Sequence, residues 1–137
     1  MTYPTRDDLA KPKDKKKKPM APRRARELCD QVFSKIIRNV GHCERCGRSD
    51  VRLECSHWIT RQYSNTRCDF ENAFSMCSSC HRWWHDFPTD ASDWAIEKRG
   101  RAVYDRLREA AYEPAKVDWV AELALLKEIA KREGIAV

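Results

Sequence analysis

The sequence predicts an α+β protein, mostly helical, with one short antiparallel β-hairpin at its centre. Three features predict it. Residues 21–41 and 89–137 carry apolar side chains at steps of three and four, the period of helices buried on one face. Residues 55–85 hold three of the four histidines and four of the seven cysteines. Within them "VRLECSHWI" has strand character, and "AFSMC" leads into "CSSCHRWWHDF", which reads as a strand running into a helix.

The chain has 137 residues and a net charge of +6, with 35% charged residues. That length holds one compact domain plus a tail. The basic excess favours an acidic partner, most simply nucleic acid. There is no apolar run long enough to span a bilayer and no signal-peptide core in "MTYPTRDDLAKPKDKKKKP". The expected compartment is therefore cytoplasmic, where thiols stay reduced and seven cysteines point to metal before disulfides.

Residues 1–20 read as a disordered basic arm, because too few apolar side chains are present to offset the entropy of ordering. Lys15, Lys16, Lys17 and Lys18 form a charge run that suits phosphates; the plainer reading is a solubilising tail. The first helix spans 21–41, with Ala25, Leu28, Cys29, Val32, Phe33, Ile36, Ile37 and Val40 along its apolar stripe, Pro22 in its first turn and Gly41 at its end. Cys29 on that stripe reads as a small core side chain rather than a ligand. After the core at 42–88, three helices are expected in a C-terminal region, 89–137, that packs on the core. One is capped by Thr89 or Asp90 and ends at Gly100. A second covers about Arg101 to Tyr112. A third, from Lys116 to about Glu133, has Val120, Leu123, Leu126 and Ile129 as its stripe. No internal repeat and no glycine-rich phosphate loop is visible.

The most specific motif is a pair of knuckles, Cys43-x-x-Cys46 and Cys77-x-x-Cys80. Zinc takes four tetrahedral donors, and two such turns supply four thiolates to one ion. Gly47, Ser78 and Ser79 suit tight turns. A rival set uses His81 in place of Cys80, and free thiols are the bland alternative. His81 and His85 lie four apart, so on a helix both imidazoles share a face and can hold a second metal; ordinary surface histidines are the competing explanation. Trp58 and one of Trp83 and Trp84 read as packing over the small metal core. Arg61 and Arg67, between His57 and Asn72, are candidate phosphate clamps or merely solvated loop charge. Cys68 reads as a spare thiol and His42 as packing beside the first knuckle.

The order His57, Asn72, His81, His85, with a CxxC knuckle on each side, resembles the HNH (ββα-metal) endonuclease superfamily, including its closing H-x-x-x-H. "HWITR … R-x-D-x-E-N … C-x-x-C" followed by helices is most similar to the phage lambda NinG-type recombination endonucleases. The resemblance covers about residues 43–100. It implies a zinc-stabilised ββα core with flanking helices and a metal-dependent DNA endonuclease, phage-related, acting in recombination, nicking or packaging. By the resemblance His57 is the general base, a role imidazole suits near neutral pH. Asn72 orients it. His81 and His85 hold a divalent ion on the scissile phosphate, which could be Mg2+, Mn2+, Zn2+, Ni2+ or Co2+. Products with 5′-phosphate and 3′-hydroxyl ends are implied. One departure stands out. Related enzymes often place Asp or His just before the base, where this chain has Ser56; Cys55 points to the other side of the strand, and Asp86 and Asp69 are possible substitutes. The alternative function is a non-catalytic, zinc-stabilised nucleic-acid-binding protein.

Overall fold

In the computed structural model the described residues are 18–137. They form helix α1 (Pro22–Arg38), strand β1 (Leu53–His57), two short 3₁₀ turns (Ser64–Thr66 and Phe70–Asn72), strand β2 (Ala73–Cys77), and helices α2 (Ser78–Asp86), α3 (Pro88–Arg99), α4 (Arg101–Tyr112) and α5 (Trp119–Arg132). The fold is α+β and mostly helical, as expected. Lys15, Lys16 and Lys17 lie outside the described residues; Lys18 is exposed. Among the described residues no helix is long and apolar enough to cross a membrane.

The chain divides into two compact units. The first joins residues 18–36 to 117–137 and contains most of α1 and all of α5. Most of the stripe read from the sequence is its core: Ala25, Cys29, Val32, Phe33 and Ile36 are buried on α1, and Leu123, Leu126, Ile129 and Ala130 on α5; the first helix ends at Arg38, short of the expected 41, and Val40 beyond it is exposed. The Cys29 thiol is fully buried and donates to the Trp119 carbonyl at 3.5 Å, so it is a core group as expected. Two details of α5 differ from expectation. The helix starts at Trp119, not Lys116, because the Asp118 carboxylate accepts from the Val120 and Ala121 amides at 3.1 Å and caps it. That start turns Val120 outward, to 44% exposure, and Glu122 inward.

The second unit spans residues 37–116; its boundary falls inside the region that the sequence reads as one C-terminal block. β1 and β2 pair antiparallel, Leu53 opposite Cys77 and His57 opposite Ala73. Alternation along the pair puts Leu53, Cys55 and His57 on one face and Glu54 and Ser56 on the other. Phe74 and Met76 share the second face. They are fully buried with Trp84 of α2 and with Ala91 and Ala95 of α3. Phe74 sits amid Trp58, Trp84 and Trp94, with ring centroids 5.9, 5.5 and 5.0 Å away. Trp58 and both Trp83 and Trp84, not one of the two, pack against this core; Trp83 stands half-buried with the Arg45 guanidinium 3.6 Å from its ring centroid. α3 begins at Pro88, whose fixed φ and missing N–H suit a first turn, rather than at a Thr89 or Asp90 cap. Gly100, at φ 95°, makes the corner into α4, a backbone region that other residues avoid.

Arg99 ties this unit together. Its side chain reaches Glu44 beside the first knuckle at 3.5 Å, bonds the Glu71 carbonyl beside Asn72, and lies 3.8 Å over Phe74. Burial pushes its guanidinium below the ordinary value, while Glu44, Glu71 and Asp69 draw it back up. Arg106 forks across Asp69 and Glu71 at 3.0 Å each.

Candidate metal centre and histidine cluster

The two CxxC knuckles are built alike. In each, the amide three residues on donates to the first sulfur: Cys46 N to Cys43 Sγ and Cys80 N to Cys77 Sγ, both at 3.5 Å. Gly47, at φ 80°, turns the first knuckle and donates to the Cys43 carbonyl at 2.8 Å. The second knuckle opens α2, with Cys77 as its N-cap. The four sulfurs lie within 4.8 Å of one another, and Cys46 Sγ and Cys77 Sγ are 3.8 Å apart. Sulfurs about 2.3 Å from one tetrahedral zinc stand about 3.8 Å from each other, so the donor set and its spacing fit. These four cysteines could hold a structural metal ion such as zinc, and Cys80 rather than His81 is the fourth member.

Their electrostatics are uneven. Burial pushes the Cys43 thiol up, but the Cys46, Cys77 and Arg45 amides outweigh it and bring it down to about 6. Burial pushes Cys80 up to about 12, against the pull of the Arg45 guanidinium at 3.5 Å.

One helical turn along α2, His81 and His85 bring their Nε2 atoms to 3.1 Å. The Glu54 carboxylate stands 2.9 Å from His81 Nδ1. A carboxylate only accepts, so His81 carries its proton on Nδ1 and turns the lone pair of Nε2 toward His85. Two nitrogens about 2.1 Å from one ion stand about 3.0 Å apart at a right angle and about 3.4 Å at the tetrahedral angle. The observed separation falls between these, so the pair fits a shared ion. Among the described residues the four cysteines are the one group of three or more candidate ligands, so the histidines offer a two-nitrogen site.

Glu54 was not singled out from the sequence. The signal is strand alternation: residue 54 shares the α2-facing side with Ser56, so a carboxylate was available on the face where Ser56 offers none. Ser56 is fully buried, and among the described residues its Oγ has no hydrogen-bond partner. Of the suggested substitutes, Asp69 caps the turn at Glu71 and is held by Arg106, and Asp86 is exposed at the end of α2.

His57 ends β1 on the opposite face, and its surroundings explain Asn72. Asn72 is fully buried. Its amide oxygen accepts from the Ile59 amide at 2.7 Å, and its nitrogen donates to the Ile59 and Thr66 carbonyls at 2.9 and 3.0 Å. The Trp58 amide donates to the Asn72 carbonyl at 2.8 Å. One side chain thus fixes both ends of the segment that follows His57. That segment delivers the Arg67 carbonyl to His57 Nε2 at 2.9 Å. A carbonyl only accepts, so Nε2 carries the proton and Nδ1 is the basic nitrogen of the neutral ring. The Trp84 indole, between the two histidines of α2, donates to the His57 carbonyl at 3.1 Å and ties the strand end to that helix.

Of the two expected phosphate clamps, Arg61 is exposed, whereas Arg67 is half-buried and donates to the Arg61 carbonyl at 2.9 Å, bracing the loop. Cys68 is half-buried, and His42 is half-buried with its ring at the Val40 carbonyl. Comparison of the chain with protein-family models, curated proteins and solved structures finds no match.

Proposed function

We propose that this protein is a metal-dependent DNA endonuclease of the HNH type, hydrolysing phosphodiester bonds with His57 as general base. The observation that carries the reading is the convergence of His81 Nε2 and His85 Nε2, backed by Glu54, on the helix that follows a strand pair whose first strand ends in His57. Core packing does not require such a pair: His85 is exposed, and the Glu54 carboxylate sets a tautomer whose Nε2 lone pair serves a metal ion or a hydrogen-bond donor.

In this reading the four cysteines hold zinc and fix the strand pair to α2. His81 and His85 would hold a divalent cation through their Nε2 atoms. Such a cation, when bound, polarises the phosphate and stabilises charge on the leaving oxygen. His57 takes the proton of the attacking water at Nδ1, while Nε2–H stays on the Arg67 carbonyl, so the ring cannot turn away. Asn72 holds that carbonyl's loop in place and never touches the substrate; it is a positioning residue. Trp84 ties the end of β1 to α2, and the reading requires base and cation to address one phosphate.

Supercoiled plasmid incubated with the zinc-loaded protein and Mn2+ or Mg2+ should be nicked, leaving 5′-phosphate and 3′-hydroxyl ends. His57→Ala should bind zinc and DNA as before and lose cleavage by at least about 100-fold, the range of general-base contributions. A wild-type protein that binds DNA but cuts nothing with any of the five divalent ions would leave a zinc-stabilised binding protein instead.

A further inference from the structure

A pocket of about 150 Å³ lies beside His57, walled by Trp58, Ile59, Trp84, Pro88 and Tyr104. Three of its walls also hold the end of β1. Trp58 follows His57 in the chain, Trp84 holds the His57 carbonyl, and Ile59 is held on both its backbone groups by Asn72. Tyr104 of α4 stacks on Trp58, with centroids 5.0 Å apart and planes 26° from parallel. The pocket is therefore aromatic, rigidly built and smaller than the roughly 300 Å³ of a site for a drug-sized ligand. It suits one planar ring system.

The rim is cationic. On α4 the residues Arg101, Tyr104, Arg108 and Tyr112 recur at three- and four-residue steps and share a face. The Arg101 and Arg108 guanidinium groups lie 5.8 and 5.6 Å from the Tyr104 centroid, and Arg108 lies 5.9 Å from that of Tyr112, which is 65% exposed. Arg101 shares its charge with Asp105 at 3.2 Å. Cations interleaved with aromatic faces suit a strand whose phosphates and bases are both accessible. In continuous duplex the base faces are stacked on each other and cannot enter such a pocket.

We propose that this pocket receives an unpaired nucleobase next to the scissile phosphate, so that the favoured substrate is DNA with unpaired nucleotides at the cut, not continuous duplex. The proposal rests on the nuclease reading for what happens at His57, but the binding step can be measured without it. Full-length, zinc-loaded His57→Ala protein is titrated with a fluorescent oligo(dT) strand and with a blunt duplex of the same length at one salt concentration. The strand should bind more tightly than the duplex and quench the tryptophan emission. Tyr104→Ala should weaken strand binding about 5- to 150-fold, the range for one lost stacking contact, with duplex binding changed less than twofold. Tyr104→Phe should restore the strand. Equal affinity for strand and duplex with no quenching overturns the proposal, as does a Tyr104→Ala effect equal on both. Plasmid nicking by the wild-type protein separates the two failures. Nicking without strand preference sinks the pocket alone, whereas strand binding without any cleavage sinks the nuclease reading and leaves the pocket standing.

Discussion

The Glu54–His81 hydrogen bond is the contact on which one residue decides what another can do. The Glu54 carboxylate, 2.9 Å from His81 Nδ1, fixes where the imidazole proton sits, and outer-shell carboxylates of this kind are worth roughly 10- to 100-fold in metal affinity. Glu54→Ala should therefore weaken Co2+ binding at the histidine pair by about that factor, read from the visible absorption of the bound ion in protein whose cysteine site is already filled with zinc. Glu54→Gln keeps an acceptor oxygen and should recover most of the loss. If Glu54→Ala leaves Co2+ affinity unchanged, the carboxylate only packs. The contrast with His81 and His85 shows what a sequence discloses at this scale. Two histidines four apart advertise a shared helical face, because the helix repeat is local. Glu54 is 27 positions from its partner, and only the register of β1 against α2 brings them together. Asn72 was legible through a resemblance, but its three hydrogen bonds were not, since they depend on how residues 59–66 loop back.

At the scale of elements, the helices follow their apolar periodicity closely, and the errors are at the ends. α5 begins where Asp118 caps it, and α3 begins at Pro88, because a local hydrogen bond or a fixed φ decides a terminus while the stripe decides only the middle. The strand pair is different. Its two five-residue strands have too little pairing to stand alone, and both knuckles are joined to it: the Glu44 amide donates to the Ser75 carbonyl at 2.8 Å, and Cys77 ends β2. Structural zinc contributes about 10–16 kcal/mol of binding free energy that is also folding free energy, as large as the whole stability of a small domain, about 5–15 kcal/mol. Stripping metal with a strong chelator should thus abolish the folded state of residues 37–116, seen as loss of near-ultraviolet circular dichroism from Trp58, Trp84 and Trp94 and as fast amide exchange through β1 and β2. Cys77→Ser should behave like the chelated protein. Cys29→Ala should still bind one structural zinc per chain, because its thiol lies in the other unit against Trp119. A metal-free protein that keeps slow exchange in β2 would show that Phe74, Met76 and the tryptophans suffice.

At the scale of the molecule, the net charge of +6 is a poorer guide to DNA contacts than it looks. Several arginines are paired with carboxylates of the fold. Arg99 is held by Glu44, Arg106 by Asp69 and Glu71, Arg48 by Asp50, and Arg23 and Arg24 both by Glu27. Each such pair presents little net field to a phosphate. The charge run at residues 15–18 sets four lysines against one adjacent carboxylate in sequence, Asp14, so its share of any phosphate binding should be larger than its share of the positive residues. Counterion release makes this measurable: log K falls with log salt at a slope of about −0.9 per phosphate contacted on duplex DNA. Replacing Lys15, Lys16, Lys17 and Lys18 together by Gln should flatten that slope by about 2 to 3 and weaken binding at low salt, while the ratio of strand to duplex affinity stays as in the parent protein, because no residue of the His57 pocket is altered. If the slope is unchanged, the run is a solubilising tail and the phosphate contacts belong to α4 and the loop around Arg61. If instead the strand preference disappears with the lysines, selectivity resides in the arm and not in the aromatic walls beside His57.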